Sequence, residues 1–123
     1  MESVRNFFKN DTFAEHLGIE LLEVSKGRAK AKMEIKDHAH GGAIFSLADL
    51  AFAVASNSHK TIALAINASI SFLKAASGGT LFAEAKEVSI NPKLATYDIR
   101  VTNEDNDIIA LFQGTVYRKK DKI

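Results

Sequence analysis

The 123-residue sequence contains no cysteine. The chain can therefore form no disulfide bond and has no thiol nucleophile, which excludes cysteine-based catalysis. It also lacks a strong charge of either sign, since 16 lysines and arginines face 15 aspartates and glutamates. Nucleic-acid-binding domains usually carry a strongly basic face, so we expect no nucleic-acid partner.

Long apolar runs are absent as well. The longest mostly apolar stretch covers residues 41–55. It is shorter than the roughly 20 residues that a membrane-spanning helix needs, and Asp49 lies in its middle. Residues 1–11 carry several charged side chains, unlike the apolar centre of a signal peptide. We therefore expect a cytoplasmic protein with no membrane partner.

Most of the chain alternates between apolar and polar residues, a period typical of strands. Residues 19–35 predict two joined strands with a break at Lys26-Gly27, where turn residues interrupt the alternation. Four further strands are predicted at 62–73, 81–90, 95–102 and 108–117. Short glycine-, proline- and asparagine-rich turns separate the last strands, and such short connections favour antiparallel pairing.

Residues 41–58 follow a different pattern, with apolar side chains at nearly every position of a helical repeat. A helix that is apolar all round is a buried helix. A single buried helix requires cover on every side, which a strongly curved sheet would provide. We predict one α+β domain over residues 1–123, in which a curved antiparallel sheet wraps around one long helix, with a short amphipathic helix within residues 1–11.

Asp49 is the only ionisable residue between His40 and His59. Burying an unpaired carboxylate costs several kcal/mol, roughly the penalty of a buried ion, so a helix does not contain one without cause. Asp49 either faces solvent, caps a neighbouring loop, or acts as a catalytic acid in a cleft between subunits. Isolated acids in apolar surroundings favour the last interpretation.

Gly41 and Gly42 stand at the predicted start of this helix. The first amides of a helix have no internal partner and carry the positive end of its dipole, which suits a polarised carbonyl or an oxyanion. An ordinary turn into the helix is the alternative. His40 is compatible with a structural or a catalytic role. A metal site built from Asp37, His38 and His40 has too few ligands, and we expect no metal.

Eight residues separate Gly41 from Asp49. On one helix that spacing corresponds to about 12 Å along the axis. Reacting groups must come within about 3 Å of each other, so one chain cannot bring both residues to the same carbonyl carbon. We therefore expect a two-fold homodimer in which each site takes Gly41 from one chain and Asp49 from the other.

Residues 40–58, beginning His-Gly-Gly and containing Asp49, resemble the helix of hotdog-fold thioesterases of the phenylacetic-acid-degradation type. Residues 71–74 and 109–114 resemble the Phe-Leu-Arg-Pro segment and the last strand of that family. The resemblance implies a hotdog fold, assembly into dimers or dimers of dimers, and hydrolysis of acyl-CoA thioesters without metal or cofactor.

The resemblance also implies roles for single residues. Asp49 matches the nucleophile or general base, and the Gly41 N–H matches the group that polarises the thioester carbonyl. His40 matches a histidine that helps to shape the site. The expected substrate contacts are apolar or small near the acyl group and basic near the CoA phosphates: Gly42, Phe45, Phe52, Asn67, Lys74, Lys93 and Arg118.

The chain departs from the family pattern at three places. Glu34 stands where the family often has an asparagine, and Ala75 replaces a proline. The serine or threonine that helps the water in some relatives has no clear match around Ala65 or Ala53. Two alternatives therefore stay open beside hydrolysis. One is hydration or dehydration of an acyl thioester by Asp49 and His40, and the other is non-catalytic binding of acyl-CoA.

Overall fold

The computed structural model describes residues 1–36 and 39–123. Within them lie two short helices, one long helix and six strands. In chain order they are α1 Glu2–Phe8, α2 Thr12–His16, β1 Glu20–Ser25, β2 Arg28–Ile35, α3 Gly41–Asn57, β3 Thr61–Phe72, β4 Gly79–Ile90, β5 Leu94–Thr102 and β6 Ile108–Lys122. The predicted order of two strands, a long helix and four strands is confirmed.

The six strands form one sheet in the order β1-β2-β4-β5-β6-β3, and every pair is antiparallel. The period-two pattern explains how each strand covers the helix. On β5, Tyr97 and Ile99 face inward and are buried, whereas Asp98 and Arg100, which alternate with them, face outward and are exposed. β1 and β3 are the two edges of the sheet.

The core lies between α3 and the inner face of the sheet. Phe52 of α3 is 1% exposed. Its ring packs against Tyr97 and Phe112, with ring centroids 6.0 Å and 5.5 Å away. A Cβ atom at Gly114 would lie 2.5 Å from the Phe52 ring, so β6 needs a glycine at this point. Burying such a side chain stabilises the fold by about 1.5–3 kcal/mol.

One stripe of α3 remains less covered than the sequence predicts. Gly42 is exposed, and Ser46, Asp49 and Ala53 are half-buried. Their spacing places them along one side of the helix. The remaining sides are buried against the sheet and against α1 and α2. The helix is therefore enclosed on all sides but one, and that side contains Asp49.

The N-terminal residues pack against the same core. Val4 of α1 is fully buried, and the Arg5 guanidinium donates hydrogen bonds to the carbonyl oxygens of Leu21 and Leu22 on β1. The sequence pattern did not predict α2, which has only five residues and begins where the Asp11 carboxylate accepts a hydrogen bond from the Ala14 N–H at 3.0 Å. Buried residues from α1 to β6 form one continuous cluster.

β6 continues five residues past its predicted end at 117. Lys122 pairs with Thr61, and the backbone of β3 supports the added length. Ladder hydrogen bonds join backbone groups, so the charged side chains of this segment do not interrupt the strand. None of the helices in the described residues is long and apolar enough to cross a membrane.

Candidate active site

Helix α3 begins with an unusual N-terminal cap. His40 has extended backbone angles, φ −67° and ψ 142°, and its Nδ1 accepts a hydrogen bond from the Gly42 N–H at 2.9 Å. Its carbonyl oxygen accepts from the N–H groups of Ala43 and Ile44 at 2.9 Å and 3.1 Å. Because Nδ1 is an acceptor, a neutral His40 ring carries its proton on Nε2. His40 thereby accepts hydrogen bonds from three of the first four backbone N–H groups of the helix.

The fourth of these amides belongs to Gly41. Within residues 1–36 and 39–123, no group accepts a hydrogen bond from the Gly41 N–H. This N–H stands at the positive end of the helix dipole, where a carbonyl oxygen or an oxyanion binds well. The cap formed by His40 therefore leaves one donor of α3 available to a ligand, at the position that the sequence predicted.

Asp49 lies two turns further along α3, on its less covered side. No hydrogen-bond or ion-pair partner contacts its carboxyl group among the described residues. Burial raises the pKa of Asp49 above its ordinary value, and the negative charge of Asp11 raises it further. A carboxylate with a raised pKa is a stronger base, which suits proton abstraction from water.

Gly41 and Asp49 do not meet within one chain. α3 is continuous from Gly41 to Asn57, and eight residues of helix correspond to about 12 Å along its axis. The predicted separation of the two groups therefore holds for the folded chain. A site that uses both groups requires a second copy.

An open cavity of about 360 Å³, lined by apolar residues and by Lys74, adjoins Gly41. Its walls come from the start of α3, the end of β3 and the segment after β3: Ala39, Gly41, Ile44, Phe72, Leu73, Lys74, Ala75 and Ala76. The tip of the Phe72 ring lies 3.3 Å from the place that a Cβ atom on Gly41 would occupy. The cavity places apolar surface beside the unoccupied amide, an arrangement that suits a thioester carbonyl with an apolar acyl group.

The sequence model of the thioesterase superfamily matches residues 36–110, which include α3 and the cavity. The chain belongs to the thioesterase superfamily. An Archaeoglobus fulgidus protein named "Putative esterase" is 51% identical over 96% of this chain and 82% of its own length. The acyl-coenzyme A thioesterase PaaI of Escherichia coli is 34% identical over 95% of this chain and 89% of its own length.

The solved structure of the E. coli PaaI protein from the phenylacetic acid degradation operon superposes with a TM-score of 0.94. It is 33% identical, and the match covers 99% of this chain and 94% of that one. The predictions of a hotdog fold, of this family and of a thioester hydrolase are thereby confirmed. The roles of single residues in the thioesterase site stay predictions, and so does the absence of a metal or cofactor. Asp37 and His38 of the alternative metal site lie outside the described residues.

The two phenylalanines of α3 lie in different surroundings. Phe45 is half-buried with its ring 5.2 Å from that of Phe112. Phe52 is enclosed in the core, so it does not reach the surface of this thioesterase chain and we leave it out of the proposed substrate contacts. Phe72 lines the cavity instead. Phe72 belongs to the segment 71–74 that resembles the family, but its position near Gly41 depends on tertiary packing, which no local pattern in the sequence predicts.

The basic residues predicted to bind phosphate form two separate groups. Lys74, at the rim of the cavity, is paired with Asp107 at 2.7 Å. The hydrogen bond from Lys74 lowers the pKa of Asp107, helped by a second from Asn103. Lys93 and Arg118 lie together at the other end of β6, where the Arg118 N–H donates to the Lys93 carbonyl oxygen at 2.7 Å.

The distance between these two groups follows from strand geometry. The Lys74 N–H donates to the Ile109 carbonyl oxygen, and Arg118 is nine residues further along β6. At about 3.3 Å per residue, the two groups are roughly 30 Å apart within one chain. Asn67 is exposed on β3 opposite Thr115 and is also distant from the Gly41 cavity.

Glu34, at the position where the family often has an asparagine, accepts a hydrogen bond from the Thr80 hydroxyl at 2.9 Å. Ser46 donates to the Gly42 carbonyl oxygen at 2.8 Å and lies one turn before Asp49 on the same side of α3. Ser46 was not among the predicted site residues, although its spacing of three from Asp49 places both on one face of the helix.

Proposed function

We propose that this chain hydrolyses acyl-CoA thioesters. The observation that carries the proposal is the Gly41 N–H, which lacks an acceptor among the described residues and lies beside an open cavity lined mainly by apolar residues. Asp49 on the same helix supplies a half-buried carboxyl group with a raised pKa. The likeness to a curated acyl-coenzyme A thioesterase supports CoA as the thiol portion of the substrate.

In the proposed reaction, the thioester carbonyl oxygen accepts a hydrogen bond from the Gly41 N–H. That bond strengthens as the oxygen becomes an oxyanion, so it lowers the barrier. Asp49 takes a proton from a water molecule that attacks the carbonyl carbon, the carbon–sulfur bond breaks, and the CoA thiolate leaves and is protonated. Direct attack by Asp49, giving an anhydride that water then hydrolyses, is the other route.

We propose that Gly41 and Asp49 act together across a homodimer formed through β3. β3 has twelve residues, is an edge of the sheet, and exposes Leu64 and Ile66 at 51% and 60%. A long apolar edge with unpaired backbone groups favours pairing with another strand. Antiparallel pairing of two β3 strands would bring the uncovered sides of two α3 helices together. A further dimer of dimers stays a prediction from the family resemblance.

The same pairing would bring the two basic groups to one site. Antiparallel strands place the start of one β3 beside the end of the other. Arg118 lies opposite Ala63 near the start of β3, whereas Lys74 follows its end at Phe72. Lys93 and Arg118 of the partner subunit would then approach Lys74, and these cations would bind the CoA phosphates.

Complementation between two inactive variants tests the shared site. Asp49→Asn removes the base, and Gly41→Pro removes the N–H at the first helical position, where proline is tolerated. We expect kcat to fall roughly 10²–10⁴-fold for the first variant and about 10²–10³-fold for the second, measured as thiol release from acyl-CoA. Each mixed dimer retains one site with both wild-type groups. Random exchange of subunits should therefore restore about a quarter of wild-type activity.

The control is a mixture of each variant with itself, carried through the same unfolding and refolding. Mixtures that stay inactive although native mass spectrometry detects mixed dimers would refute the shared site. Thiol release by purified Asp49→Asn at the wild-type rate would refute the role of Asp49.

A hydratase is the second candidate. Its acid–histidine pair would use Asp49 and the Nε2 of His40, since the Nδ1 accepts a hydrogen bond from the Gly42 N–H. Incubation with an enoyl-CoA distinguishes the two reactions. Hydration consumes the conjugated double bond without releasing thiol, whereas hydrolysis releases thiol.

A further inference from the structure

The tip of the Phe72 ring faces the position where Gly41 would carry a side chain. A Cβ atom built on Gly41 would lie 3.3 Å from Cζ, 3.6 Å from Cε1 and 3.8 Å from Cε2 of the Phe72 ring. The first of these distances is tighter than ordinary van der Waals contact, so an alanine at this position would push against the ring. The tip of one aromatic side chain therefore rests where Gly41 has no side chain.

Backbone conformation does not explain the glycine at this position. Gly41 is a residue of regular α3, and it is not among the glycines with positive φ, which are Gly18, Gly27, Gly78 and Gly79. Any residue can adopt helical angles there. What the glycine provides is space, and Phe72 takes up that space.

Phe72 also has an unusual exposure for an aromatic residue next to the core. It is the last residue of β3, opposite Ala110 of β6, and its side chain is 53% exposed. By contrast, the Phe45 ring packs against Phe112. Phe72 is thus the phenylalanine whose ring lines the cavity beside the Gly41 N–H.

We propose that Phe72 positions the thioester and determines which acyl groups the enzyme accepts, a proposal that rests on the function proposed above. The ring forms an apolar wall beside the Gly41 N–H. A carbonyl bound to that N–H has its α carbon next to the wall, so a linear or flat acyl group fits and a branch at the α carbon collides with the ring. The wall also keeps water from the hydrogen bond between the N–H and the carbonyl, which strengthens that bond.

Selectivity between two acyl-CoA substrates tests the wall. Butanoyl-CoA is unbranched at its α carbon, and 2,2-dimethylpropanoyl-CoA is fully branched there. We expect Phe72→Ala to raise the ratio of kcat/KM for the branched over the linear substrate by about tenfold or more, the effect of one or two methyl groups in a tight pocket. Phe72→Leu should lie between this variant and the wild type.

Phe7→Ala is the matched control, since Phe7 is 48% exposed on α1 and packs against Phe8 rather than near Gly41. It should leave the substrate ratio unchanged. The melting temperature of each variant separates a change in the site from a loss of folding. An unchanged ratio in folded Phe72→Ala would overturn the proposal.

A double mutant tests the contact with Gly41 itself. Gly41→Ala keeps the N–H but adds the Cβ atom that meets the ring, so we expect kcat to fall while KM for the linear substrate changes less. Phe72→Leu in the same chain removes the tip of the ring and should recover most of that loss. If the loss of activation free energy in the double mutant equals the sum of the losses in the two single variants, the two residues act independently. That result would contradict the proposal.

Failure of this proposal is distinguishable from failure of the proposed function. If the wild type releases no thiol from any acyl-CoA, hydrolysis is refuted. Binding then tests Phe72, with ketone analogues of the two substrates in which a methylene group replaces the thioester sulfur. Calorimetry should show that Phe72→Ala gains affinity for the branched analogue relative to the linear one, and equal changes for both would refute the wall.

Discussion

The two ends of α3 are built in opposite ways. At the N-terminal end, the Gly41 N–H lacks an acceptor among the described residues, Gly42 is exposed and a cavity adjoins the backbone. At the C-terminal end, Ser56, Asn57 and Ser58 are at most 4% exposed, and each side chain is hydrogen-bonded. The helix thus has an open N-terminal end, where we propose that substrate binds, and a C-terminal end enclosed in a hydrogen-bonded polar cluster.

The C-terminal end connects the helix to three strands and a turn. Asn57 Oδ1 accepts from the Ala63 N–H at 3.0 Å, and Ser58 Oγ accepts from the Gly27 N–H at 2.7 Å. Beside them, the Glu87 carboxylate accepts a hydrogen bond from the Tyr97 hydroxyl and is bound by the His59 ring, both at 2.7 Å. We call these polar side chains, namely Asn57, Ser58, His59, Glu87 and Tyr97, the C-terminal network.

The contrast between the two ends of α3 separates a part that stabilises the fold from a part that we propose binds substrate. In the described residues, no buried side-chain nitrogen or oxygen lacks a hydrogen-bond partner. An unsatisfied buried polar group costs about 1–3 kcal/mol, so the complete pairing of the C-terminal network stabilises the fold. The Gly41 amide at the other end is the hydrogen-bond donor that we propose for the substrate. Mutations at the N-terminal end should therefore reduce activity, and mutations at the C-terminal end should reduce stability.

Among changes at the two ends of α3, removing the donor at the N-terminal end should have the largest effect. Gly41→Pro eliminates the N–H, and His40 already has the extended angles that a residue before proline requires. We expect the activation free energy to rise by about 2.7–4 kcal/mol, as for loss of one oxyanion-hole donor. The melting temperature should change little. The measurements are kcat from thiol release and thermal unfolding of the same sample.

Gly41→Ala is the control for this comparison, because it retains the N–H and adds the same Cβ atom. A Gly41→Pro variant as active as Gly41→Ala would show that the amide donor does not contribute to turnover. A melting temperature that falls in parallel with kcat would show instead that the N-terminal end stabilises the fold, which would remove the contrast between the two ends.

The next effect concerns stability at the C-terminal end. Asn57→Ala leaves the buried Ala63 N–H without its acceptor. We expect a loss of about 2 kcal/mol in the free energy of unfolding and a fall of roughly 8 °C in the melting temperature. kcat of the folded fraction should stay near the wild-type value. Denaturant unfolding and thiol release, both below the transition, check the two halves of the prediction.

Ser56→Ala is the matched control one position earlier on the helix. Its hydroxyl donates to the Ala53 carbonyl oxygen, which also accepts from the Asn57 amide. Ser56→Ala leaves no buried donor without a partner. The variant should therefore lose only about 0.5 kcal/mol in the free energy of unfolding. Equal losses for the two variants would argue against a special contribution of Asn57.

The sequence predicted the N-terminal end of α3 better than the C-terminal end. The Gly41 and Asp49 positions follow from the start of an apolar helical repeat, a local pattern, together with a family motif. The C-terminal network joins residues from α3, β4 and β5 that are far apart in sequence. No local period marks Glu87 or Tyr97 as partners of His59, so pairing of the strands had to be known first.

The same limit explains the other differences between sequence and structure. Phe72 reaches Gly41 only because β3 pairs with β6 and ends beside the start of α3. The role of His40 as a cap depends on the rotation of one ring. β6 extends to Lys122 through backbone pairing. The charged side chains near its end lack the alternating pattern by which a strand is recognised in the sequence. Periodic patterns therefore predicted the elements, and contacts between elements determined the details of the site.

The smallest effect that we expect is a pH dependence of stability in the C-terminal network. Burial alone would raise the pKa of Glu87, but the hydrogen bonds from His59 and Tyr97, with the charges of His59 and Arg118, outweigh it and lower that pKa. A lowered pKa in the folded state favours folding while Glu87 is ionised. That contribution is complete above the ordinary glutamate pKa of about 4.3 and is lost as the pH falls through the lower, folded value.

Glu87→Gln isolates this contribution, because glutamine has a similar shape and cannot ionise. At neutral pH we expect the variant to be less stable than the wild type by about 1 kcal/mol, the net value of one hydrogen bond. Below the folded pKa of Glu87 the two proteins should approach equal stability, since wild-type Glu87 is then neutral too. The measurement is denaturant unfolding of both proteins from pH 7 to acid pH. A difference that stays constant over this range would mean that ionised Glu87 does not hold the C-terminal end of α3 together.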